Sequence, residues 1–599
     1  MAASELVTRR FYLSGRPGPP TILGLVLPAP LPTTRRDAAI IAVLTLAVFS
    51  PAVGNDWVEW DDLVNFLDNT HYRGLGWSHV VWMFTTAWGS HWTPLAWLTL
   101  GLDYVIWGMN PLGYHLQSVL WHAANAALAF AVAARLLRAA WPHAAAGTLR
   151  LGAAAAALFF ALHPLRVESV AWISERRDLV SGFFYLLTVL CWLVMIERDG
   201  APRRRWQWAA YGAYAAALLS KSIVISLPLV LLVLDVYPLR RLRPATWRTP
   251  EGRRVLLEKV PFLVMALALT LLTVVSFRSQ MSPFANYGLV ARLGMAAYSL
   301  VFYVWKSVVP ADLSPIYELP WRVSILDPVF LASTLIVLAA AVALIAARRW
   351  WPAGLAVAIV YGLGLAPVSG LAHAGPQLVA DRYSYLSTLG LALLLGGALI
   401  AVMTRDALGE LRPGLARLVV GAVGAWLLIL AGLSVSQTLV WHDDRTLWEH
   451  ALAIDPDCGH CNKALARYHA TSGEAEQRLR RLLTANAADA DARTRLGAVL
   501  VQQHRYAEAE TELRTVLRES PDSAEALTFL GLALSENNRA ADAVPVLERA
   551  STLAPNAALP HFGLGRALQM LGRDAEVQPH LATLERVEPR LAERLKRRW

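Results

Sequence analysis

Residues 151–196 read LGAAAAALFFALHPLRVESVAWISERRDLVSGFFYLLTVLCWLVMI. Two apolar runs, 151–163 and 179–196, flank a segment that gathers Arg166, Glu168, Glu175, Arg176, Arg177 and Asp178. An apolar run of about 17–25 residues is the signal of a helix that crosses a bilayer. The second run meets that length; the first is short and Ala-rich. Charges confined to the turn between two such runs belong at the headgroup level, because an ionised side chain at mid-bilayer is costly. The unit is a membrane hairpin.

Nine further runs extend the pattern, at 38–54, 113–134, 206–220, 222–237, 258–277, 328–347, 352–370, 384–403 and 415–436. The 599 residues are 56% apolar and only 17% charged, below the roughly 25% of ordinary soluble chains. Residues 441–599 carry 21 Lys+Arg and 23 Asp+Glu, an ordinary soluble density, whereas 1–440 carry 34 and 22. The net charge of +10 therefore belongs to the membrane part, and no nucleic-acid partner is implied. The expected organisation is a tail over 1–37, a transmembrane domain over 38–440 and a soluble domain over 441–599. The apolar stretch from Thr21 to Leu31 is broken by Pro28 and Pro30, which argues against a secretory signal. Three cysteines make no disulfide framework.

Arg and Lys in the connections orient the spans. Arg35-Arg36, Arg135, Arg138, Arg150, Arg203 to Arg205, Arg348-Arg349, Arg405, Arg412 and Arg417 mark one side, while 55–112 holds only Arg73. The tail is thus expected in the cytoplasm, with 55–112, 164–178 and 371–383 outside. A full span at 289–310 would reverse the basic 348–349 and 405–417 loops, so that stretch is read as re-entrant or lying in the interface. Eleven spans then place the C-terminal domain outside. Trp77, Trp82, Trp88, Trp92, Trp97 and Trp107 suit helices lying on the outer face in contact with membrane lipid.

Beyond 453 the chain repeats every 34 residues, as Gly497, Gly531 and Gly565 and as Pro521, Pro555 and Pro589 show. This is the tetratricopeptide (TPR) period, a solenoid of helix pairs able to hold a protein or peptide in its groove. The fold class is therefore all-α, a polytopic helical membrane domain followed by a TPR α-solenoid. Cys458-Gly-His-Cys461 resembles a dithiol motif, but it lacks a strand-to-helix context, so a local disulfide in an oxidising compartment is expected.

Four groups at the outer loop ends carry chemistry. Asp61 and Asp62, with Glu59 beside them, could supply a general base. Glu168 and Glu175 share a helical face, as do Arg166 and Arg177, with His163 and Asp178 bounding their segment. Lys221 sits in a tight turn between two spans. Asp381-Arg382-Tyr383, preceded by His373, places a guanidinium suited to phosphate. Snorkelling and local pairing would explain each cluster separately. Converging on one face, they point to a lipid-phosphate substrate.

The ordered set WDD at 60–62, HWTPLAWLTLGLDYVIWGMNPLGYHLQSVLWHAANA at 91–126, HPLRVESVAWISERRDLVSGFFYLL at 163–187, KSIVISLPLVLLVLDVYP at 221–238, PADLSPIY at 310–317 and ADRYSYL at 380–386 resembles the transmembrane-and-TPR O-mannosyltransferases and their bacterial relatives. The resemblance implies a GT-C glycosyltransferase architecture. It also implies inverting transfer of a sugar from a polyprenyl-phosphate carrier to a protein hydroxyl at the outer face. It gives the base role to Asp62 or Asp61, with Glu168 as a further candidate, and the donor phosphate to Arg177, Arg382, Lys221 and Arg166, supported by His163, Glu175, Asp178 and Tyr383. Many relatives have Glu where this chain has Asp381, which takes a catalytic role away from that position. Mg²⁺ or Mn²⁺ would be compatible with the acidic groups, but a monophosphate donor does not require a metal. The alternative is a non-catalytic membrane scaffold whose repeats recruit outer-face proteins. A transporter would show internal repeats and mid-span charges. Arg outnumbers Lys 50 to 5 and the spans are Ala-rich, an association with GC-rich bacterial genomes. That would make the membrane a bacterial inner membrane and the outer compartment periplasm; in a eukaryote that compartment is the ER lumen.

Overall fold

A computed structural model describes residues 34–597, apart from 59, 90, 278–286, 321–322, 372–374 and 467–472. Most of the tail, Glu59 and His373 lie outside the described residues. The architecture is all-α, with one two-stranded ribbon among the described residues. The chain is an integral, multi-pass membrane protein with a C-terminal TPR array.

Among the described residues, seven helices are long and apolar enough to cross a membrane: Arg35–Gly54, Pro111–Ala140, Ile173–Ile196, Pro250–Val275, Pro328–Ala347, Leu389–Ala407 and Leu415–Val440. An eighth forms if Ala146–Leu162 is joined to Pro164–Ala171 across a 55° bend. Ser222–Val236 and Pro352–Val368 are apolar but shorter. The run expected at 206–220 is the helix Gly200–Leu218, whose first turns hold Arg203 to Arg205. Every apolar run of the sequence is thus helical, and the difference from eleven lies in length and Arg content.

Local chemistry explains the ends. The Asn110 side chain accepts from Leu112 N at 3.1 Å with Pro111 at the first helical position, a standard start for a helix. Pro164 has no N–H to continue the preceding helix, and His163 Nδ1 accepts from Leu165 N at 3.2 Å to open the next turn. In lipid, helices associate through close packing of small residues. A Cβ on Gly152 would stand 2.8 Å from the Gly396 carbonyl, so the helices Ala146–Leu162 and Leu389–Ala407 touch backbone to backbone.

The helices alternate in direction and collect the connections at two ends. At the basic end Arg150 makes a two-pronged pair with Asp37 at 2.7 and 2.8 Å, and Arg241 bridges Asp235 at 2.8 Å and Glu258 at 2.7 Å. The other end gathers 55–112, 164–178, 219–226 and 366–383. The stretch read as re-entrant or interface-lying is one unbroken helix, Leu289–Val308. Arg292 donates to Leu371 O at 3.1 Å, Tyr303 to Ala380 O at 2.9 Å, and Ser307 O meets His163 Nε2 at 3.1 Å. Its length therefore stays along that second end.

The soluble array stacks helix pairs from Glu474–Ala485 to Pro589–Lys596. Gly497 is small because a Cβ there would strike Leu513 Cγ at 2.5 Å. The apolar core divides between Leu465 and Ala466: Trp448, Cys458, Cys461 and Leu465 pack with the membrane helices, and the array has a core of its own.

Candidate active site

A cavity of about 580 Å³ opens among the gathered loops. Asp61, Glu175, Arg177, Lys221, Arg382 and Tyr383 all line it, although they come from four separate parts of the chain. Glu175 and Arg177 stand where the helix Arg176–Ile196 begins. Lys221 caps the turn Ser222–Ser226. Arg382 sits in the turn Asp381–Tyr383, which follows β2 (Gln377–Val379), antiparallel to β1 (Tyr317–Glu318).

Three cations meet one carboxylate. Glu175 accepts from Arg177 at 2.7 Å and from Lys221 at 2.6 Å, and lies 3.4 Å from Arg382 Nε. Behind this layer Asp178 takes a second contact from Lys221 at 2.8 Å. Glu168 holds Arg382 twice, through an ion pair with the guanidinium and at 2.7 Å from the backbone amide. The Arg382 guanidinium also lies over the rings of Trp172 and Tyr383, at 5.3 and 5.1 Å. A buried cation set held this way is pre-aimed, because its supporting acids leave it little rotational freedom.

The two neighbouring aspartates have different environments. Asp62 is 1% exposed and spent on structure: it accepts from Val58 N at 3.1 Å, Ser174 N at 3.2 Å and Ser174 Oγ at 2.6 Å. Burial pushes it up to about 7 against the pull of Ser174. Asp61 faces the cavity, and its carboxylate makes no hydrogen bond or ion pair among the described residues. Burial raises it as well, with Arg177 pulling the other way.

His163 and Arg166 are brought close but not in. His163 packs on Phe159 at 5.2 Å. The buried Arg166 donates to Ser384 Oγ at 3.2 Å and Thr388 Oγ1 at 2.6 Å. Neither lines the cavity, and Glu168, Asp62 and Asp178 also stand behind its surface.

The Tetratricopeptide repeat family model matches residues 465–524 and 494–558. The protein O-mannosyl-transferase Tmtc2 of Drosophila melanogaster is 40% identical over 157 residues, which are 25% of this chain and 15% of that protein. The human protein O-mannosyl-transferase TMTC2 is 32% identical over 176 residues, 28% of this chain and 20% of that one. Over these stretches the chain is similar to the transmembrane-and-TPR O-mannosyltransferases. The matched stretches span a fifth or less of those curated relatives. Among solved structures, ArnT from Cupriavidus metallidurans bound to undecaprenyl phosphate covers 92% of this chain and 79% of its own, at 16% identity and a TM-score of 0.30.

Several cavity residues were not singled out by the sequence alone. His91 lines the cavity, and burial together with Arg177 and Lys221 drives its basicity far down. Trp88, Trp172 and Gln377 also line it. The HWTP at 91–94 was the available signal for His91; Gln377 had none, since only the ribbon brings it in. Among the described residues no three His, Cys, Asp or Glu side chains converge as metal ligands, and Glu175 is already occupied by cations.

Proposed function

We propose that this chain is an inverting membrane glycosyltransferase that moves a sugar from a polyprenyl-phosphate carrier to a protein hydroxyl. The observation that carries the reading is the pairing within one cavity of Asp61, a carboxylate with no hydrogen bond or ion pair among the described residues, and three pre-aimed cations. Asp61 removes the proton of the acceptor hydroxyl. The acceptor oxygen forms its bond to the anomeric carbon as the bond from that carbon to the phosphate oxygen breaks, and the phosphate keeps the electron pair. Arg177, Lys221 and Arg382 meet the charge that grows on that oxygen, the transition-state stabilisation that such donors supply best. One displacement inverts the anomeric configuration.

The cavity end lies opposite the Arg-rich connections, which supports an extracytoplasmic site by the positive-inside rule. The TPR array starts at the same end, where its groove can present an acceptor polypeptide. A purely recruiting scaffold has no use for a half-buried carboxylate that faces three cations across a cavity and makes no hydrogen bond or ion pair among the described residues.

The deciding experiment is transfer from radiolabelled polyprenyl-phosphate sugars by membranes holding matched amounts of wild type or Asp61→Asn. Wild-type transfer that falls by about 10²–10⁴-fold in the variant, the worth of a general base, supports the reading. Equal transfer by both, or none by either with any donor, overturns it.

A further inference from the structure

Cys458 and Cys461 form a disulfide, and the turn it closes reaches both walls of the cavity. The backbone amides of Gly459 and His460 donate to the Glu318 carboxylate at 2.9 and 2.7 Å. Glu318 lies on β1 opposite Gln377 of β2, and β2 runs on through Ala380 into Arg382. Beside it, Tyr317 donates to Asp381 Oδ1 at 3.0 Å. On its other side, the His460 ring packs 5.3 Å from Trp60 and from Trp448. Trp60 precedes Asp61 and itself lines the cavity. Both sulfurs are buried in the core shared with the membrane helices.

We propose that this disulfide-closed turn is a clasp that sets the Asp61 wall against the Arg382 wall. Two consecutive amides pointing at one carboxylate hold it with charge-assisted bonds, and the cross-link keeps those amides parallel. The ribbon they anchor has two and three residues in its strands, a length that has little stability of its own. Its position therefore depends on what surrounds it: Leu378 and Val379 pack with Phe302 and Tyr303, Tyr303 donates to Ala380 O, Tyr317 donates to Asp381, and the clasp grips Glu318. Glu318, Cys458 and Cys461 are positioning residues, since none of them lines the cavity.

The test uses the full chain in nanodiscs. Reduction passes two electrons and two protons from added dithiothreitol, which closes to its own disulfide, and leaves two thiols. Because the sulfurs are buried, the Cys458→Ser/Cys461→Ser variant is a second arm. Hydrogen exchange at 317–319 and 377–379 is expected to accelerate about tenfold when the cross-link is lost, while the helices of 490–570 keep their rates. In Glu318→Ala the same loss should produce no further acceleration. Unchanged ribbon exchange, acceleration throughout the chain, or an undiminished effect in Glu318→Ala each overturns the proposal. The consequence for turnover rests on the transferase reading: kcat should fall about tenfold with little change in either KM. A change in KM alone would overturn the positioning role. A shift in ribbon exchange in a protein that transfers no sugar in either state would sink the transferase reading and leave the clasp supported.

Discussion

Asp61 and Asp62 are adjacent in sequence and opposite in environment, and each gives a prediction. As the base, Asp61 must be ionised, and burial raises it. The rate at limiting substrate should therefore climb with pH through a value above the usual carboxylate range, a limb that Asp61→Glu keeps. A pH–rate profile checks this. Asp62 acts through stability. Its folded value of about 7 exceeds that of an unfolded Asp, so the fold holds the proton more tightly than the open chain does. That contribution is complete below the ordinary carboxylate value and is lost as pH rises through about 7. The melting temperature of wild type relative to Asp62→Asn should then decline across that window; a constant difference would contradict the assignment.

Among elements, the crossing of Ala146–Leu162 with Leu389–Ala407 rests on glycine at the contact. Gly152→Leu would force a side chain into the Gly396 carbonyl and Ile400. The expected cost is about 1–3 kcal/mol, typical of overpacking, read as a lower melting temperature in nanodiscs. Gly147, with open space around it, should accept Ala with little change. The ribbon is the other decisive element. ADRYSYL at 380–386 was legible as a charged loop, but nothing in its spacing announces that two or three residues before it pair with Tyr317–Glu318. Strand pairing over 60 residues of separation is a tertiary fact.

For the whole molecule, the division of the core after Leu465 predicts unequal truncations. A chain ending at Ser472 keeps Trp448, Cys458 and Cys461 against the membrane helices. Its thermal midpoint should stay within about 3 °C of the full chain, because a kcal/mol moves a domain of this size by only a few degrees. A chain ending at Val440 strips the packing from Trp60 and Trp172, whose neighbours include Trp448 and Trp441, and should melt earlier and lose transfer. Equal melting of the two truncations would show that residues 441–472 belong energetically to the soluble array.

The sequence by itself determined the helical class, the membrane runs, the 34-residue array and the loops in which the chemistry gathers. Apolarity and repeat period are local properties that any short window reports. It could not separate Asp61 from Asp62, place His163 and Arg166 behind the cavity, or bring His91 and Gln377 to its surface. Burial and hydrogen-bond partners depend on which distant segments arrive beside a residue. Ser174 takes up Asp62 from more than a hundred residues away, Glu168 takes up Arg382 from more than two hundred, and the packing of the helices decides both.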